Sequence, residues 1–222
     1  MKLKNSFNSY LVGEVMKTKI EIVTGFLGSG KTAFLNALIK ETIVKDESVL
    51  VIQLEDGETK INKIFGNINI RNYYGDIEEF DKFLLKNLRE GNYFKVFIEY
   101  NGTETIEKLA NILNEDKIKK LCKISTIYFI ADVNNIKSYV INMGDFIVPA
   151  IENSNLILLN NCINSDDKKI EEAINLMEEL NLSGHILTCD NNNSIDNALK
   201  KSKLFNNRTI KKIYMNLCGD RK

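Results

Sequence analysis

Apolar, β-branched runs alternate along the chain with segments whose apolar residues recur every three or four positions. The runs predict buried strands over 19–24, 48–54, 94–100, 124–132, 155–160 and 184–188. The periodic segments predict helices over 33–39, 77–88, 106–113 and 167–181, and a further apolar run, 208–217, is typical of an edge strand. This alternation predicts an α/β fold with three layers, in which a mostly parallel sheet lies between helices.

The most informative segment lies between the first strand and the first helix. Residues 25–32 read Gly-Phe-Leu-Gly-Ser-Gly-Lys-Thr and match G-x-x-x-x-G-K-[ST], the phosphate-binding loop of P-loop NTPases. Lys31 is placed to reach the β- and γ-phosphates and to act in catalysis, and the Thr32 hydroxyl to bind Mg²⁺. The nucleotide-binding residues expected here are Gly25, Gly28, Ser29, Gly30, Lys31, Thr32 and Ala33.

Carboxylates at two strand ends are candidates for the metal side of this site, because ligands of open α/β sheets bind outside the carboxyl ends of the strands. Glu99 ends an apolar strand, where it can hold Mg²⁺ or its waters and act in catalysis, and Gly102 allows backbone close to a γ-phosphate. Glu55 or Asp56, in the acidic loop after strand 48–54, contacts the metal or belongs to a nucleotide-sensing switch; a solvated loop is the alternative.

Two other strand ends carry polar residues. Asp132 either orients water or a switch, or caps a helix over 133–141. Asn160 suits a position that contacts the nucleotide base, although asparagine is also common in turns.

Composition limits the class of protein. The 222 residues carry 30 basic and 30 acidic side chains, which predicts no bulk attraction to nucleic acid or membrane. No segment is apolar enough to span a bilayer and no signal core precedes the first strand, so a cytoplasmic protein is expected. We expect an N-terminal arm over 1–18, or a start at Met16, followed by a single P-loop domain over 19–217.

The cysteines and the histidine give no metal signature. Cys122, Cys162, Cys189 and Cys218 are far apart and form no C-x-x-C pair, so free thiols are expected. The one histidine, His185, is expected to be structural or exposed rather than a ligand.

These motifs, in this order, resemble the nucleotide-binding domain of the CobW/HypB/UreG family of P-loop GTPases, and CobW-type members most closely. Residues 25–32 match the family's G-F-L-G-[AS]-G-K-T, and Gln53-Leu-Glu-Asp-Gly-Glu58 is similar to its N-E-F-G-E loop. Residues 99–102 resemble its E-x-x-G, and Asn160 falls where its N-K-x-D begins. The resemblance covers roughly residues 17–190.

Three departures qualify the resemblance. The family's metal-binding G-C-x-C-C is replaced by residues 67–77, which contain no cysteine, and N-K-x-D has become Asn-Asn-Cys-Ile over 160–163. The C-terminal domain usual in CobW-type proteins is expected to be absent or reduced to a tail. The loss of the aspartate removes a main discriminator between GTP and ATP, and the loss of the cysteines weakens metal carriage.

The resemblance implies an Mg²⁺-dependent GTPase or NTPase, metallochaperone-like, that acts on a client such as a metalloenzyme or corrinoid protein, with homodimerisation as a further expectation. A nucleotide-gated interaction protein with little turnover is the alternative. A P-loop small-molecule kinase is a weaker one, because such an enzyme needs an arginine-rich lid over the phosphates and this chain has no arginine cluster.

Overall fold

Parallel strands form one sheet at the centre of the fold. The computed structural model describes residues 17–44, 46–55, 59–64, 67–100, 102, 104–202 and 204–205. In order along the chain, the strands are β1 (Thr18–Thr24), β2 (Val49–Gln53), β3 (Ile68–Asn72), β4 (Lys95–Glu99), β5 (Cys122–Asp132), β6 (Leu156–Asn160) and β7 (His185–Thr188). They lie in the order β3-β2-β4-β1-β5-β6-β7, and every pairing is parallel.

Helices cover both faces of this sheet. They are α1 (Lys31–Thr42), α2 (Phe80–Glu90), α3 (Ile106–Leu113), α4 (Asp116–Lys119), α5 (Ile136–Glu152), α6 (Asp167–Leu180) and α7 (Ile195–Lys201). Short 3-10 turns lie at Ile77–Glu79, Cys162–Asn164 and Asn192–Ser194. The predicted three-layer α/β architecture is therefore confirmed.

Two apolar cores form because side chains alternate between the faces of each strand. In β1, Ile20 and Ile22 are fully buried against the helices α2 to α6, while Val23 is fully buried on the face of α1 and α7. The central strands β2, β4 and β6 are buried throughout, which explains why their sequences read as continuous apolar runs.

The strand order brings distant segments to one end of the sheet. The chain runs from β1 outward to β2 and β3, returns to β4 between β2 and β1, and then crosses to β5, β6 and β7 on the other side. Ligands of open α/β sheets bind at such a switch in direction. The loop after β1 lies at this position, flanked by the ends of β4 and β5.

Some elements depart from the sequence-based prediction. All six predicted strands are present within two residues of their predicted limits, and β1 begins at Thr18, inside the predicted arm. The edge strand β3 was missed, because apolar and polar residues alternate in Ile68-Asn-Ile-Arg-Asn72 and only Ile68 is buried. The helix α7 was also missed, and the predicted strand 208–217 lies outside the described residues.

Candidate nucleotide-binding site

Glycine is required in the loop between β1 and α1 for steric reasons. Gly25 has φ 143°, and a Cβ atom there would lie 2.0 Å from the Ile130 carbonyl oxygen. Gly30, with φ 103° at the start of α1, leaves no room for a side chain beside Asn160 and Asn192. Only glycine combines these backbone angles with such close approach.

The Lys31 side chain is folded into the loop. Its Nζ donates to the Phe26 carbonyl oxygen at 2.9 Å and lies 2.9 Å from Glu55 Oε1. The Lys31 and Glu55 side chains are 2% and 11% exposed, and the second oxygen of Glu55 is buried without a hydrogen-bond partner among the residues that the structure describes. A carboxylate thus neutralises the lysine that the sequence assigns to a phosphate.

Thr32 and Glu99 meet as the sequence suggested for a Mg²⁺ site. The Thr32 hydroxyl donates to Glu99 Oε1 at 2.5 Å, and the Gln53 side-chain amide donates to Glu99 Oε2 at 2.7 Å. Burial raises the pKa of Glu99 above the usual range of a glutamate, and these two hydrogen bonds and nearby Lys31 oppose that rise. Hard oxygen donors of this kind suit Mg²⁺.

Asn160 lies beneath the loop. It is fully buried, and its Nδ2 donates to the Ser29 carbonyl oxygen at 2.9 Å and to Asn192 Oδ1 at 2.6 Å. Its Oδ1 accepts from the backbone N–H of Asn161 at 2.8 Å and from the thiol of Cys189 at 3.1 Å. These bonds fix the shape of the loop, so Asn160 positions the residues expected to hold phosphate.

The other predicted residues of the site lie around the same loop. Gly102 packs on it so closely that an added Cβ would lie 2.4 Å from the Gly25 carbonyl oxygen. Gly28 lies at the tip of the loop with φ 75°. The Ser29 hydroxyl is buried and finds no hydrogen-bond partner in the described part of the chain, and Ala33 is half-buried on the first turn of α1.

Asp132 does not cap the helix after β5, contrary to one of its two predicted roles. The helix α5 begins at Ile136, and no side chain caps it. The carboxylate instead accepts from the backbone N–H of Asn134 at 2.8 Å and from the Asn161 amide at 2.9 Å. Asp56, the alternative to Glu55, lies outside the described residues, as do Gly57 and Glu58 of the resembling loop.

Two residues of the site were not anticipated. Gln53 was assigned no role by the sequence, where it ends a strand and begins the segment similar to the N-E-F-G-E loop, yet its side-chain amide donates a hydrogen bond to Glu99 on the neighbouring strand. Asn192 comes from an asparagine-rich stretch with no motif, so no sequence signal marked it. Both act through contacts that only the folded chain creates.

A cavity opens beside the first turn of α1. Its volume is about 450 Å³, and it lies between α1, the segment 59–64 and the residues that begin α7. Ala33, Asn36, Asn192 and Asn193 line it, together with the ion pair of Lys40 and Asp196. Its size and polar lining suit a small polar ligand.

The thiols do not form a metal centre within the described part of the chain, where no cluster of three or more His, Cys, Asp or Glu side chains could hold a metal ion. Cys122, Cys162 and Cys189 are free and buried. Burial raises the pKa of Cys122 to about 11 and that of Cys189 to about 12, so both remain protonated near neutral pH. His185 is exposed at the start of β7, and Cys218 lies outside the described residues.

None of the helices in the described ranges has the length and apolar character needed to cross a membrane.

Comparison with known families gives a match over one part of the chain. Residues 19–70, which include the loop, α1 and β2, match the model of the CobW/HypB/UreG nucleotide-binding domain. No curated protein matches the chain.

Solved structures share the fold. The Zn(II)-bound YjiA GTPase from E. coli superposes with a TM-score of 0.55 at 18% identity, over 77% of this chain and 57% of YjiA. A Zn(II)-bound triple mutant of YjiA gives 0.58 at 19% identity, over 78% and 57%. Hydrogenase maturation factor HypB from Archaeoglobus fulgidus gives 0.51 at 16%, over 83% and 89%.

The identities are low, so these superpositions speak for the fold alone, and the chain spans little more than half the length of YjiA. The family match covers residues 19–70, which is less than half of the chain. Over these residues the chain is similar to the nucleotide-binding domain of the CobW/HypB/UreG family.

Proposed function

We propose that this protein is an Mg²⁺-dependent nucleoside triphosphatase of the CobW type, using GTP or ATP. The observation that carries the proposal is the convergence of Lys31, Thr32 and Glu99 on one glycine-rich loop. These three side chains come from two segments more than sixty residues apart in sequence. A site assembled in this way has the donors for phosphate and the oxygens for a metal ion.

The phosphate half of the site rests on unused polar groups. Backbone N–H groups of the loop and the start of α1 attract anions. Among the described residues, the buried hydroxyl of Ser29 has no hydrogen-bond partner, and a phosphate oxygen would satisfy it. Lys31 would exchange the Glu55 carboxylate for phosphate oxygens, because both are anionic acceptors.

The metal half of the site fits Mg²⁺. Thr32 and Glu99 would hold the ion or its waters. Glu55 lies near them, because its carboxylate forms an ion pair with Lys31. When bound, Mg²⁺ neutralises charge that develops on the phosphates. Gln53 orients Glu99 from behind.

We place the nucleoside in the 450 Å³ cavity beside Ala33. Asn192 lines this cavity and also contacts Asn160, so the cavity adjoins the residues that shape the phosphate loop. Amide side chains both donate and accept, and this suits either purine.

We also propose that the protein acts on a client protein. The family resemblance supports a metalloenzyme or corrinoid protein as the partner. Residues 67–77 lack thiols, so we propose that any metal is contacted through the client rather than carried by this segment.

A nucleotide-gated interaction protein with little turnover is the second candidate. The Lys31–Glu55 ion pair favours it, because a nucleotide that displaces Glu55 moves the loop after β2 without any bond being broken.

The test is titration of the purified protein with GTP and with ATP, each with and without Mg²⁺, followed by single-turnover hydrolysis. Binding with Mg²⁺-dependent cleavage supports the NTPase. Binding without cleavage selects the second candidate, and absence of binding refutes both.

A further inference from the structure

A cleft rich in lysine lies at the edge of the sheet opposite the phosphate loop. Its volume is about 1010 Å³, and it opens where β1, β2, β4 and β5 begin. We call it the lysine cleft, because four lysines line it: Lys17, Lys19, Lys120 and Lys123. The seven residues of β1 separate it from the phosphate loop by roughly 20 Å.

The strand register places like charges side by side. Lys19 lies directly opposite Lys95 on β4 and opposite Lys123 on β5. Directly opposed like charges destabilise a sheet. A row of three lysines across three neighbouring strands therefore needs counter-charge.

The acidic residue next to this row, Glu21, forms an ion pair with the buried Lys95. Glu21 lies 2.5 Å from Lys95 Nζ, with both side chains at 2% exposure or less, and it also accepts from the Tyr128 hydroxyl at 3.0 Å. Lys19 and Lys123 are exposed, and neither has an ion-pair partner in the described part of the chain. The same is true of Lys17 and Lys120.

The acidic residues that line the cleft do not neutralise the charge of its lysines. Asp46 and Glu47 line it against four lysines, and Glu47 Oε2 accepts from the backbone N–H of Val44. The segments outside the described residues at either end of the given sequence are net basic by sequence. Residues 1–16 carry two lysines and one glutamate, and residues 206–222 carry five basic side chains and one acid.

We propose that the lysine cleft binds a short acidic segment of a partner protein. The volume exceeds what a single phosphate fills and suits several side chains. The exposed ring of Phe94 adds apolar surface beside the lysines, which suits side chains of a peptide, whereas Tyr93 is largely buried. The chain as a whole has zero formal net charge, so it lacks the broad positive field that attracts nucleic acid.

The distance from the phosphate loop has a consequence for function. A partner in the lysine cleft does not compete with a ligand at Lys31, so both can be bound together. The cleft is independent of the proposed nucleotide chemistry, and its test needs no nucleotide.

The experiment uses a fluorescein-labelled decapeptide of alternating Glu and Ser, with Gln in place of Glu as the neutral control. Fluorescence anisotropy with the whole chain at about 50 mM salt is expected to show binding of the acidic peptide only, weakening as salt rises. Lys19→Gln with Lys123→Gln should weaken binding by about tenfold, since two exposed charge pairs are lost. Lys168→Gln with Lys201→Gln is the matched control, because both lysines are exposed, lack ion pairs among the described residues and line no part of the cleft.

The folded state of the variants is checked by thermal unfolding. Removal of opposed like charges is expected to leave the midpoint unchanged or raise it. Lys17→Gln with Lys120→Gln repeats the test outside the paired part of the strands, should the first variant unfold.

Absence of wild-type binding, or equal loss in the cleft and control variants, overturns the proposal. A thymidine oligonucleotide of equal charge is the competing probe. Tighter binding of this oligonucleotide, with the same dependence on the cleft lysines, would assign the cleft to nucleic acid and also overturn the proposal.

Discussion

Glu99→Gln should separate hydrolysis from nucleotide binding. Glu99 is 1% exposed and receives one hydrogen bond from Thr32 and one from Gln53. The amide removes a negative charge from the expected metal site but keeps the shape of the side chain. Loss of one preorganised electrostatic group typically reduces turnover by about 10²–10³-fold.

The hydrogen bonds predict how far the substitution disturbs the fold. In the Gln variant, the new carbonyl oxygen accepts from Thr32, and the new amide donates to Gln53 after the Gln53 amide turns over. Both bonds survive, so the free energy of unfolding should change by less than about 1 kcal/mol. In Glu99→Ala, two buried donors lose their acceptor, at a cost of about 1–3 kcal/mol each.

The raised pKa of Glu99 gives this prediction a pH dependence. Folding disfavours the ionised form, so the stability contributed by the protonated group is present below the usual glutamate pKa and is lost as pH rises through the folded value. The free energy of unfolding of wild type relative to Glu99→Gln should therefore fall over that window. Hydrolysis by wild type should also fail below the raised pKa, where the carboxylate is neutral.

The assays are single-turnover hydrolysis, calorimetric nucleotide titration and urea unfolding at several pH values. The expected pattern for Glu99→Gln is slow cleavage, nearly unchanged affinity and a folded protein. Equal cleavage by wild type and variant would refute the role of Glu99 at the reacting phosphate and leave it a structural carboxylate.

Three further predictions concern the same site. Lys31→Ala should abolish nucleotide binding in calorimetry while circular dichroism stays native, because the polar contacts of Lys31 among the described residues, to Phe26 and Glu55, lie within the loop itself; retained affinity would contradict the phosphate-loop assignment. Competition binding should show GTP preferred over ATP by less than about a hundredfold, against the 10⁴–10⁵ of a fully hydrogen-bonding pocket, since residues 160–163 lack the aspartate; a stronger preference would mean that another acceptor replaces it. Titration against a chromogenic chelator should reveal no tight Zn²⁺ or Co²⁺ site in residues 67–77, which offer no thiol or imidazole; a stoichiometric nanomolar site that survives mutation of all four cysteines would count against this.

The phosphate loop and the layered fold could be predicted from the sequence. The loop is eight consecutive residues, and its geometry depends on glycines and on the strand and helix that flank it directly. The buried strands were equally readable, because a strand covered on both faces must be apolar along its length. The edge strand β3 could not be predicted in this way, since a strand at the edge of a sheet is partly exposed to water and tolerates polar residues.

The contacts that complete the site came only from the tertiary structure. Glu99 was identified as a strand-end acid, but its bonds to Thr32 and Gln53 depend on β4 lying between β1 and β2. Asn160 reaches Ser29 across 131 positions, and the lysine row exists only because β1 lies between β4 and β5. Local sequence determines which segments become strands, whereas the order and register of those strands follow from packing the whole chain, and that order decides which side chains meet.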